Sequence, residues 1–524
     1  MVTTASSTQP TTFLRLDTQA NHYKWLVATI VLVAGATQTF AGTSINLVIP
    51  RLMAAFGTDL ATTQWVATGW LLARTLVMPL LGWMGGIIGN RNMFVGIMAG
   101  FVLTTTGCGL STSIGMLIAF RILQGLILGS MESLTAVILV GVFPPHQRGL
   151  ALGLRSVGWS AGQLVFYTAG GYLIEQVSWR LVFFLGIPSA ILAAVGGLLV
   201  LPQQRDYQSA PVDYPGLFAL AGFLVPLLLA ISFGRDSNTD TATLVWLGMA
   251  ALIGGILFVL RELWAAFPAV NLQLFAIPTF RLVCITAFLN NVGLFGALFM
   301  VPIFLQQVIG LTPLQAGLVI VPALIVSGFS GVVTGRLSDL LPPPLVIITM
   351  MLSLSIIFYT FSSVTALTAV TVIVGYVILY RVCMTGVMPS LAVMTVQSVG
   401  PDQVRMGQGL LGLTRSIGAV LGVTVTSVFF ERRRIWHQLT AYDTYDTASP
   451  THHETFRMLK QYLHQAGMNG PSAERAAMGT LRRQMDVEAI AAAFRDSFLL
   501  ICAFFLIASL PTLYLFVRHW KRSN

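Results

Sequence analysis

Two charged residues, Arg121 and Glu132, lie within the run from Phe120 to Arg148, which is otherwise apolar enough to cross a bilayer. At 3.6 residues per turn, eleven residues return a helix to within about 20° of its starting direction, so both side chains share one face with Gln124. A charge inside a membrane costs roughly 2.5 to 3.5 kcal/mol and usually faces a cavity or a partner. The stretch therefore predicts a transport pathway.

The composition indicates a polytopic membrane protein. Of the 524 residues, 55% are hydrophobic and 9% are charged, and the mean hydropathy is +0.80. The net charge of +10 comes from basic residues scattered among loops and tails, which argues against a nucleic-acid partner. The four cysteines lie in apolar runs without metal-ligand or redox spacing. The run His452-His453-Glu454 lacks the spacing of a zinc site, and there is no phosphate-binding loop. We therefore expect no metal, no cofactor and no enzymatic activity.

Apolar runs of about twenty residues predict fourteen membrane spans. Their expected positions are 24–49, 63–84, 93–111, 115–141, 149–174, 181–202, 214–234, 244–264, 282–308, 314–334, 344–362, 366–396, 406–430 and 496–517. An even number of spans places both termini on one side. The short loops on that side hold more arginine than the opposite loops, so both termini are predicted to be cytoplasmic.

The spans divide the chain into two halves with a linker between them. The expected parts are an N-terminal tail (1–23), a six-helix bundle (24–202), a linker with two extra helices (203–278), a second six-helix bundle (279–518) and a C-terminal tail (519–524). The second bundle contains a long loop, 431–495, which is expected to be external because long loops largely escape the charge rule. Within it, 453–466 and 472–494 are predicted to form surface helices.

The two halves repeat each other in sequence. Arg155-Ser-Val-Gly158 with Gly162 matches Arg415-Ser-Ile-Gly418 with Gly422, which lies 260 residues later. Arg121 and Arg381 are separated by the same 260 residues. Parallel repeats of six spans imply a binding site near the membrane midplane and alternating access by rocking of one half against the other. The glycines spaced by four residues predict close helix packing.

On these residues the chain resembles the major facilitator superfamily, in particular its fourteen-span drug:proton antiporter family of the EmrB/QacA type. The most specific match is the run from Pro302 to Pro313, which follows that family's ninth and tenth spans. Arg121-Ile-Leu-Gln124-Gly125 matches the fourth-span motif, whose arginine is assigned a part in proton transfer. The resemblance implies an all-α fold of two six-helix bundles plus two linker helices. It also implies conformational gating by the cytoplasmic G-x-L-x-D motif and its first copy: Gly82, Arg91, Gly335, Arg336 and Asp339.

Three positions depart from the family pattern. Ala41 stands where relatives usually carry a first-span aspartate, and Gly86 replaces the aspartate in the first copy of the cytoplasmic motif. The fifth-span motif begins with Phe166-Tyr167 instead of Gly-Pro, although Gly170 and Gly171 remain and are expected to pack helices. Because that motif is associated with export, its partial loss leaves import open as an alternative.

Glu132 takes over as the expected proton carrier, with Arg121 as its partner, because Ala41 removes the usual acid. Apolar surroundings favour the protonated carboxyl and a nearby arginine opposes this, so protonation can alternate as a cavity wets and dries. The alternative is a permanent ion pair of Glu132 with Arg121 or Arg74 that fixes helix packing.

Other polar residues within the predicted spans are assigned to a substrate cavity: Arg74, Gln124, Asn290, Asn291, Arg381 and Arg415. Each has a structural alternative, which is packing or snorkelling for the arginines and an interhelical contact for the asparagines. Together with Arg121 and Arg155, the arginines make the polar lining net positive. This balance favours an anionic or amphipathic substrate over a hydrophobic cation.

The sequence thus predicts a proton-driven exporter of amphipathic, drug-like or lipid-like compounds in the cytoplasmic or inner membrane. In a cell with two membranes, the resemblance implies a periplasmic adaptor and an outer-membrane channel as partners, with 431–495 as a contact. One alternative, based on the three departures, is an exporter or importer of an anionic metabolite with different or no proton coupling. Another is a non-transporting membrane scaffold or sensor, whose midplane would lack a water-accessible cavity.

Overall fold

The computed structural model describes residues 21–58, 60–78, 81–202, 213–234, 240–265, 271–365, 367–400, 403–444, 450–465 and 468–523. Most of the predicted N-terminal tail lies outside these residues. The described residues form helices joined by short connections. The helices are α1 Asn21–Phe56, α2 Leu60–Val77, α3 Leu81–Ile88, α4 Asn90–Gly109, α5 Ile114–Leu128, α6 Met131–Val142, α7 Arg148–Val165, α8 Gly171–Gln176, α9 Leu181–Phe184, α10 Ile187–Val200, α11 Tyr214–Phe233, α12 Thr241–Trp264, α13 Pro278–Gln307, α14 Pro313–Leu340, α15 Pro343–Phe361, α16 Val370–Ser398, α17 Val404–Thr444, α18 Pro450–Gln465 and α19 Gly470–Ser523.

Within the described ranges, twelve helices are long and apolar enough to cross a membrane. The two predicted spans without such a helix are the second and the fifth. The second consists of α2 and the short α3, and the fifth consists of α7, a π-helical turn at Phe166–Gly170 and α8. The described residues divide each of these spans into shorter elements, and the polar residues of α7 lower its hydropathy. The chain is a multi-pass membrane protein, and the number of fourteen spans stays a prediction.

Each half of the chain has its own apolar core. In the C-terminal half, α13, α15, α16 and α19 enclose a cluster of aromatic rings, in which Phe361 and Phe498 meet edge to face with centroids 4.8 Å apart. In the N-terminal half, α1, α4, α6 and α10 pack around Phe94 and Phe101, which are both fully buried. Aromatic pairs of this kind add to the stabilisation gained from burial. The fold is therefore two helical bundles, with α11 and α12 on the outside.

The helices α11 and α12 pack on each other and leave most of their apolar side chains at least partly exposed, as expected for helices that face lipid. The α11 helix also reaches both bundles. The ring of Phe233 lies 5.8 Å from that of Trp65 in α2, and the Ile231 carbonyl accepts a hydrogen bond from Thr424 in α17. The linker helices therefore lie beside the boundary between the bundles.

The two bundles approach each other closely along α7 and α14. A Cβ atom added at Gly149 would overlap the Gly335 carbonyl, and one added at Gly153 would overlap the Gly331 carbonyl. Apolar side chains of α6 and α7 pack against α16 beside this contact. We call this side of the interface the Asp339 end. It comprises Asp339 and the Gly149–Gly335 contact.

The described part of the predicted loop 431–495 is largely helical, and its helices continue those of the bundle; its external position stays a prediction. The α17 helix continues from the bundle to Thr444, and the predicted surface helix 472–494 is the first part of the continuous helix α19. The two extensions are held together by polar contacts. Tyr442 and Gln438 both donate hydrogen bonds to Asp486, at 2.7 and 2.9 Å, and the bond from the Tyr442 hydroxyl lowers the pKa of Asp486. Hydropathy underestimated the length of these two helices, because it reports how well a segment fits into lipid and not whether it forms a helix.

A charged cluster between the bundles as the candidate site

Glu132 is brought to its partners by a break in the fourth span and by close helix packing. The α5 helix ends at Leu128 and α6 begins at Met131, so Glu132 lies in the first turn of a new helix. On the buried face, a Cβ at Gly125 would overlap the Trp70 carbonyl, and one at Gly129 would lie 2.6 Å from the Arg74 carbonyl. Glycines at these two positions let α2 approach α5, which places Arg74 beside Glu132.

The Glu132 carboxylate binds arginines from three helices. Its Oε2 atom accepts a hydrogen bond from Arg74 at 2.8 Å, and its Oε1 atom accepts one from Arg415 at 2.7 Å. Arg155 of α7 lies 3.7 Å from Oε1. The side chain of Glu132 is 16% exposed, and those of the arginines are 14 to 21% exposed. Three cations and one anion give the cluster a net charge of about +2 when all four are ionised.

Glu132 joins the two bundles, because Arg415 belongs to α17 of the C-terminal bundle and the other members belong to the N-terminal bundle. Two further contacts cross the interface beside it. The Ser133 hydroxyl donates a hydrogen bond to the Gln408 carbonyl at 3.1 Å, and the Ser416 hydroxyl donates one to the Met78 sulfur at 3.0 Å. One carboxylate therefore connects helices of both bundles at their boundary.

Arg121 does not reach Glu132, so the two predicted coupling residues are not in contact, and a part for Arg121 in proton transfer stays a prediction. Eleven residues of helix correspond to a rise of about 16 Å, so a shared face brings two side chains into line without bringing them into contact. Arg121 is 1% exposed and donates hydrogen bonds to the backbone carbonyls of Val66 and Ala41 at 3.2 and 3.0 Å. It thus ties α5 to α2 and α1, and its contacts are those of a packing residue.

Gln124 is also removed from the predicted cavity. Its side-chain oxygen accepts a hydrogen bond from Arg121 at 2.7 Å, and its amide donates one to Thr105 at 2.5 Å. The side chain is 1% exposed, so both of its polar ends are used inside the N-terminal bundle.

Three of the C-terminal polar residues assigned to the cavity, Asn290, Asn291 and Arg381, make their described contacts away from Glu132. Asn290 and Asn291 are buried in α13, and the Asn291 amide donates a hydrogen bond to the Ala287 carbonyl one turn earlier. The two polar atoms of the Asn290 side chain have no hydrogen-bond partner among the described residues. Arg381 is partly exposed and lies beside the Tyr380 hydroxyl. Only Arg74 and Arg415 of the predicted cavity residues meet Glu132.

Asp339 caps α7 across the bundle interface. Its Oδ1 atom accepts a hydrogen bond from the Gly149 amide at 2.7 Å, and its Oδ2 atom accepts one from the Leu150 amide at 2.9 Å. A carboxylate at this point satisfies amides that have no partner in the first helical turn, and it also interacts favourably with the helix dipole. The aspartate of one bundle thereby holds the first turn of a helix of the other.

The remaining residues assigned to gating have different surroundings. Gly335 lies in the close contact with Gly149, whereas Arg336 is exposed on the neighbouring face of α14. Arg91 is 9% exposed near the start of α4. Gly82 belongs to α3, and its surroundings lie outside what the structure describes.

Four of the glycines assigned to packing lie against a neighbouring helix backbone. A Cβ at Gly158 or Gly162 would clash with α1, and one at Gly418 or Gly422 would clash with α13. The α7–α1 and α17–α13 contacts are thus equivalent in the two halves. Gly170 and Gly171 correct the prediction, because a Cβ at Gly171 would meet no described atom within 4 Å and one at Gly170 would meet the Phe166 ring of its own turn.

The sequence predicts Arg155 as part of a positive lining, and no local pattern places it against Glu132. The repeat contained a usable signal, since Arg155 and Arg415 are equivalent positions of the two halves. If the halves face each other around the midplane, equivalent residues approach the same central point from opposite sides. The structure shows both arginines beside the Glu132 carboxylate.

A family model described as Major Facilitator Superfamily matches residues 31–423, which is most of the chain. The chain belongs to the major facilitator superfamily. This major facilitator protein is a membrane transporter that acts on small molecules, and it is not an enzyme. The resemblance derived from the sequence motifs is confirmed.

Named relatives of this transporter include multidrug and fatty-acid resistance proteins. The chain is 24% identical over 445 residues to the multidrug export protein EmrB of Escherichia coli, which covers 83% of this chain and 86% of the relative. It is 27% identical over 423 residues to the fatty acid resistance protein FarB of Neisseria gonorrhoeae, with 80% and 83% covered. The fold is similar to that of the human organic anion transporter MFSD10, with a TM-score of 0.62 at 14% identity, covering 93% of this chain and 99% of that one. At that identity, the structural similarity shows the fold alone.

Proposed function

We propose that this transporter exports amphipathic compounds across the cytoplasmic or inner membrane in exchange for protons, with both termini in the cytoplasm. The observation that carries the proposal is the position of Glu132, a carboxylate that arginines of both bundles hold at their interface. The relatives EmrB and FarB support an amphipathic, drug-like or lipid-like substrate. The arginine bias of the short loops supports the orientation.

Proton coupling follows from what the Glu132 charge does at the interface. The ionised carboxylate attracts Arg415 across the boundary and so favours the arrangement in which α6 and α17 lie together. A hydrogen bond between charged groups contributes about 1.5 to 3 kcal/mol, and protonation of Glu132 removes most of that attraction. Proton uptake then favours separation of the bundles at this point, whereas proton release favours their return. Exchange requires that the substrate binds to the deprotonated form.

The Asp339 end supplies a second contact that must break during the cycle. Asp339 and Gly335 hold the first turn of α7, and Gly82, Arg91 and Arg336 complete the gating region that the family motif implies. In this proposal the Asp339 end is cytoplasmic. It opens when the transporter faces inward to load substrate and closes when it faces outward to release it.

A partner beyond the bilayer is proposed for a host with two membranes. The extensions of α17 and α19, together with α18, project from the end of the bundle opposite to Asp339. With cytoplasmic termini, these helices lie on the external side. They offer a contact for a periplasmic adaptor, which would connect the transporter to an outer-membrane channel.

The test is substrate-driven proton movement in proteoliposomes that contain wild type, Glu132→Gln or Glu431→Gln. Glu431 is the matched control because it is an exposed acid of α17 that pairs with Arg434 within its own helix. A lipophilic cation, a neutral dye and a fatty acid serve as substrates. We expect wild type and Glu431→Gln to exchange protons for substrate, and Glu132→Gln to lose at least nine-tenths of the proton flux. Proton exchange by Glu132→Gln at the wild-type rate would refute the coupling role. Transport by wild type without proton movement would favour an uncoupled anion transporter, and absence of transport would favour a scaffold.

A further inference from the structure

The charges around Glu132 do not balance. Glu132 uses one oxygen for Arg74 and the other for Arg415, which leaves Arg155 at 3.7 Å, beyond hydrogen-bond distance. The Arg155 guanidinium forms no hydrogen bond with any residue that the structure describes, and the charged groups that act on it there are Glu132 and Arg415. One carboxylate charge therefore faces three guanidinium charges.

The excess of guanidinium charge at this depth creates a positive potential, and the only acid that acts on these arginines among the described residues is Glu132. Partly buried charges that are poorly hydrated attract counter-ions much more strongly than surface charges do. The Nε atoms of Arg74 and Arg415 are buried and have no hydrogen-bond partner among the described residues, so two donors of the cluster are unused there. The Arg155 side chain is 21% exposed, so the described residues do not seal the cluster on that side.

The surface beside Arg155 is amphipathic. Trp159 lies one turn further along the same face of α7 and is 40% exposed, and Gln163 lies one turn beyond it. A small anion would use the arginine alone. An anion with an apolar body would also cover the indole of Trp159.

We propose that Arg155, with Arg74 and Arg415, forms a binding site for one monovalent anion, either an inorganic ion such as chloride or the acidic headgroup of an amphipathic substrate. The site is additional to the proton role of Glu132 and does not depend on it. The bound anion lies beside Glu132, so each disfavours the negative charge of the other.

This arrangement links anion binding to protonation. The charged groups that face Glu132 are Arg74 from α2, Arg155 from α7 and Arg415 from α17. An anion on Arg155 weakens the field that keeps Glu132 ionised, so anion and proton bind with positive cooperativity. If the anion is inorganic, it assists proton uptake in the exchange cycle. If it is the substrate headgroup, substrate and proton bind together, and the coupling experiment above would show movement in the same direction.

The test is binding of radiolabelled chloride to the purified full-length protein in nanodiscs, with gluconate as the replacement anion. Arg155→Gln removes the cation that Glu132 does not hydrogen-bond. Arg281→Gln is the matched control, since Arg281 is exposed at the start of α13. We expect wild type and Arg281→Gln to bind chloride equally, and Arg155→Gln to bind at least tenfold more weakly. Equal binding by Arg155→Gln, or no saturable binding by wild type, would overturn the proposal.

A second measurement separates an anion site from a purely structural arginine. Chloride affinity of wild type is expected to rise severalfold as the pH is lowered, whereas Glu132→Gln is expected to bind more tightly than wild type at neutral pH and to lose this dependence. A pH dependence retained in Glu132→Gln would contradict the linkage. Competition by dodecanoate, compared with dodecanol of the same chain length, identifies the source of the anion. Displacement of chloride by dodecanoate alone assigns the site to a substrate headgroup, and displacement by neither probe assigns it to an inorganic ion.

Discussion

Asp339→Ala is the most direct perturbation of the contact between the bundles. The change removes both oxygens that accept the Gly149 and Leu150 amides. Hydrogen bonds to a charged acceptor contribute about 1.5 to 3 kcal/mol each, so two bonds at the lower limit give about 3 kcal/mol. The carboxylate is half-buried, and water access reduces this to about 1.5 kcal/mol. Because 1.4 kcal/mol is a factor of ten, the ratio of closed to open Asp339 ends should fall about tenfold.

The assay is a spin-label distance measurement across the interface in a cysteine-free background. His146 and Leu340 are exposed on opposite sides of the Asp339 end and serve as labelling sites. Wild type should give predominantly one short distance, and Asp339→Ala should add a population at longer distance. Asp339→Asn, which keeps one acceptor without the charge, should lie between the two.

The matched control is Asp240→Ala, because Asp240 caps α12 through the Ala242 amide without contacting the other bundle. Its distance distribution should equal that of wild type. If Asp339→Ala also equals wild type while its transport is reduced, the carboxylate does not hold this end closed, and the reasoning from its two hydrogen bonds is refuted.

Three further predictions concern packing and the charged cluster. Arg121→Gln removes the two hydrogen bonds that the charged guanidinium donates to the Val66 and Ala41 carbonyls, which contribute about 1.5 to 3 kcal/mol each, so the melting temperature in detergent should fall by several degrees. Arg121→Lys should restore only part of the lost melting temperature, because one ammonium group does not reproduce the planar set of donors of a guanidinium. Gly153→Ala places a methyl group against the Gly331 carbonyl, and the overlap should destabilise the α7–α14 contact by about 1 to 3 kcal/mol. Cross-linking between α7 and α14 should therefore decrease. Unchanged cross-linking would contradict the close contact. For Glu132→Gln and Arg415→Gln, the effects on thermal stability should be non-additive by about 0.5 to 3 kcal/mol, whereas additive effects would mean that the ion pair contributes nothing.

Hydropathy and internal repetition predicted the architecture well, because both report properties that a bilayer imposes. An apolar run of about twenty residues has few alternatives to a membrane helix, and motifs such as the one from Pro302 to Pro313 are specific enough to indicate the family. The same measure failed for residues 431–444 and 470–495, which are too polar to count as spans and yet continue the helices of the bundle.

The sequence identified the four charged residues of the candidate site as polar residues within spans, but it did not predict which of them are in contact. Helical periodicity gives the direction of a side chain, so Arg121 and Glu132 could be placed on one face, but their separation along the axis kept them apart. Arg415, which does bind Glu132, is 283 residues away and belongs to the other bundle. No local pattern encodes such a pairing, which depends on how two independently folded halves meet.

Because α17 is one continuous helix, a movement at Arg415 is transmitted to its far end at Thr444. From Arg415 to Thr444 the helix rises by about 44 Å without a break in its secondary structure. If the helix pivots as a rod near Arg415, a tilt of about 10° displaces its far end by about 8 Å. A lever of this length converts a small tilt near Arg415 into a displacement of several ångströms at Thr444.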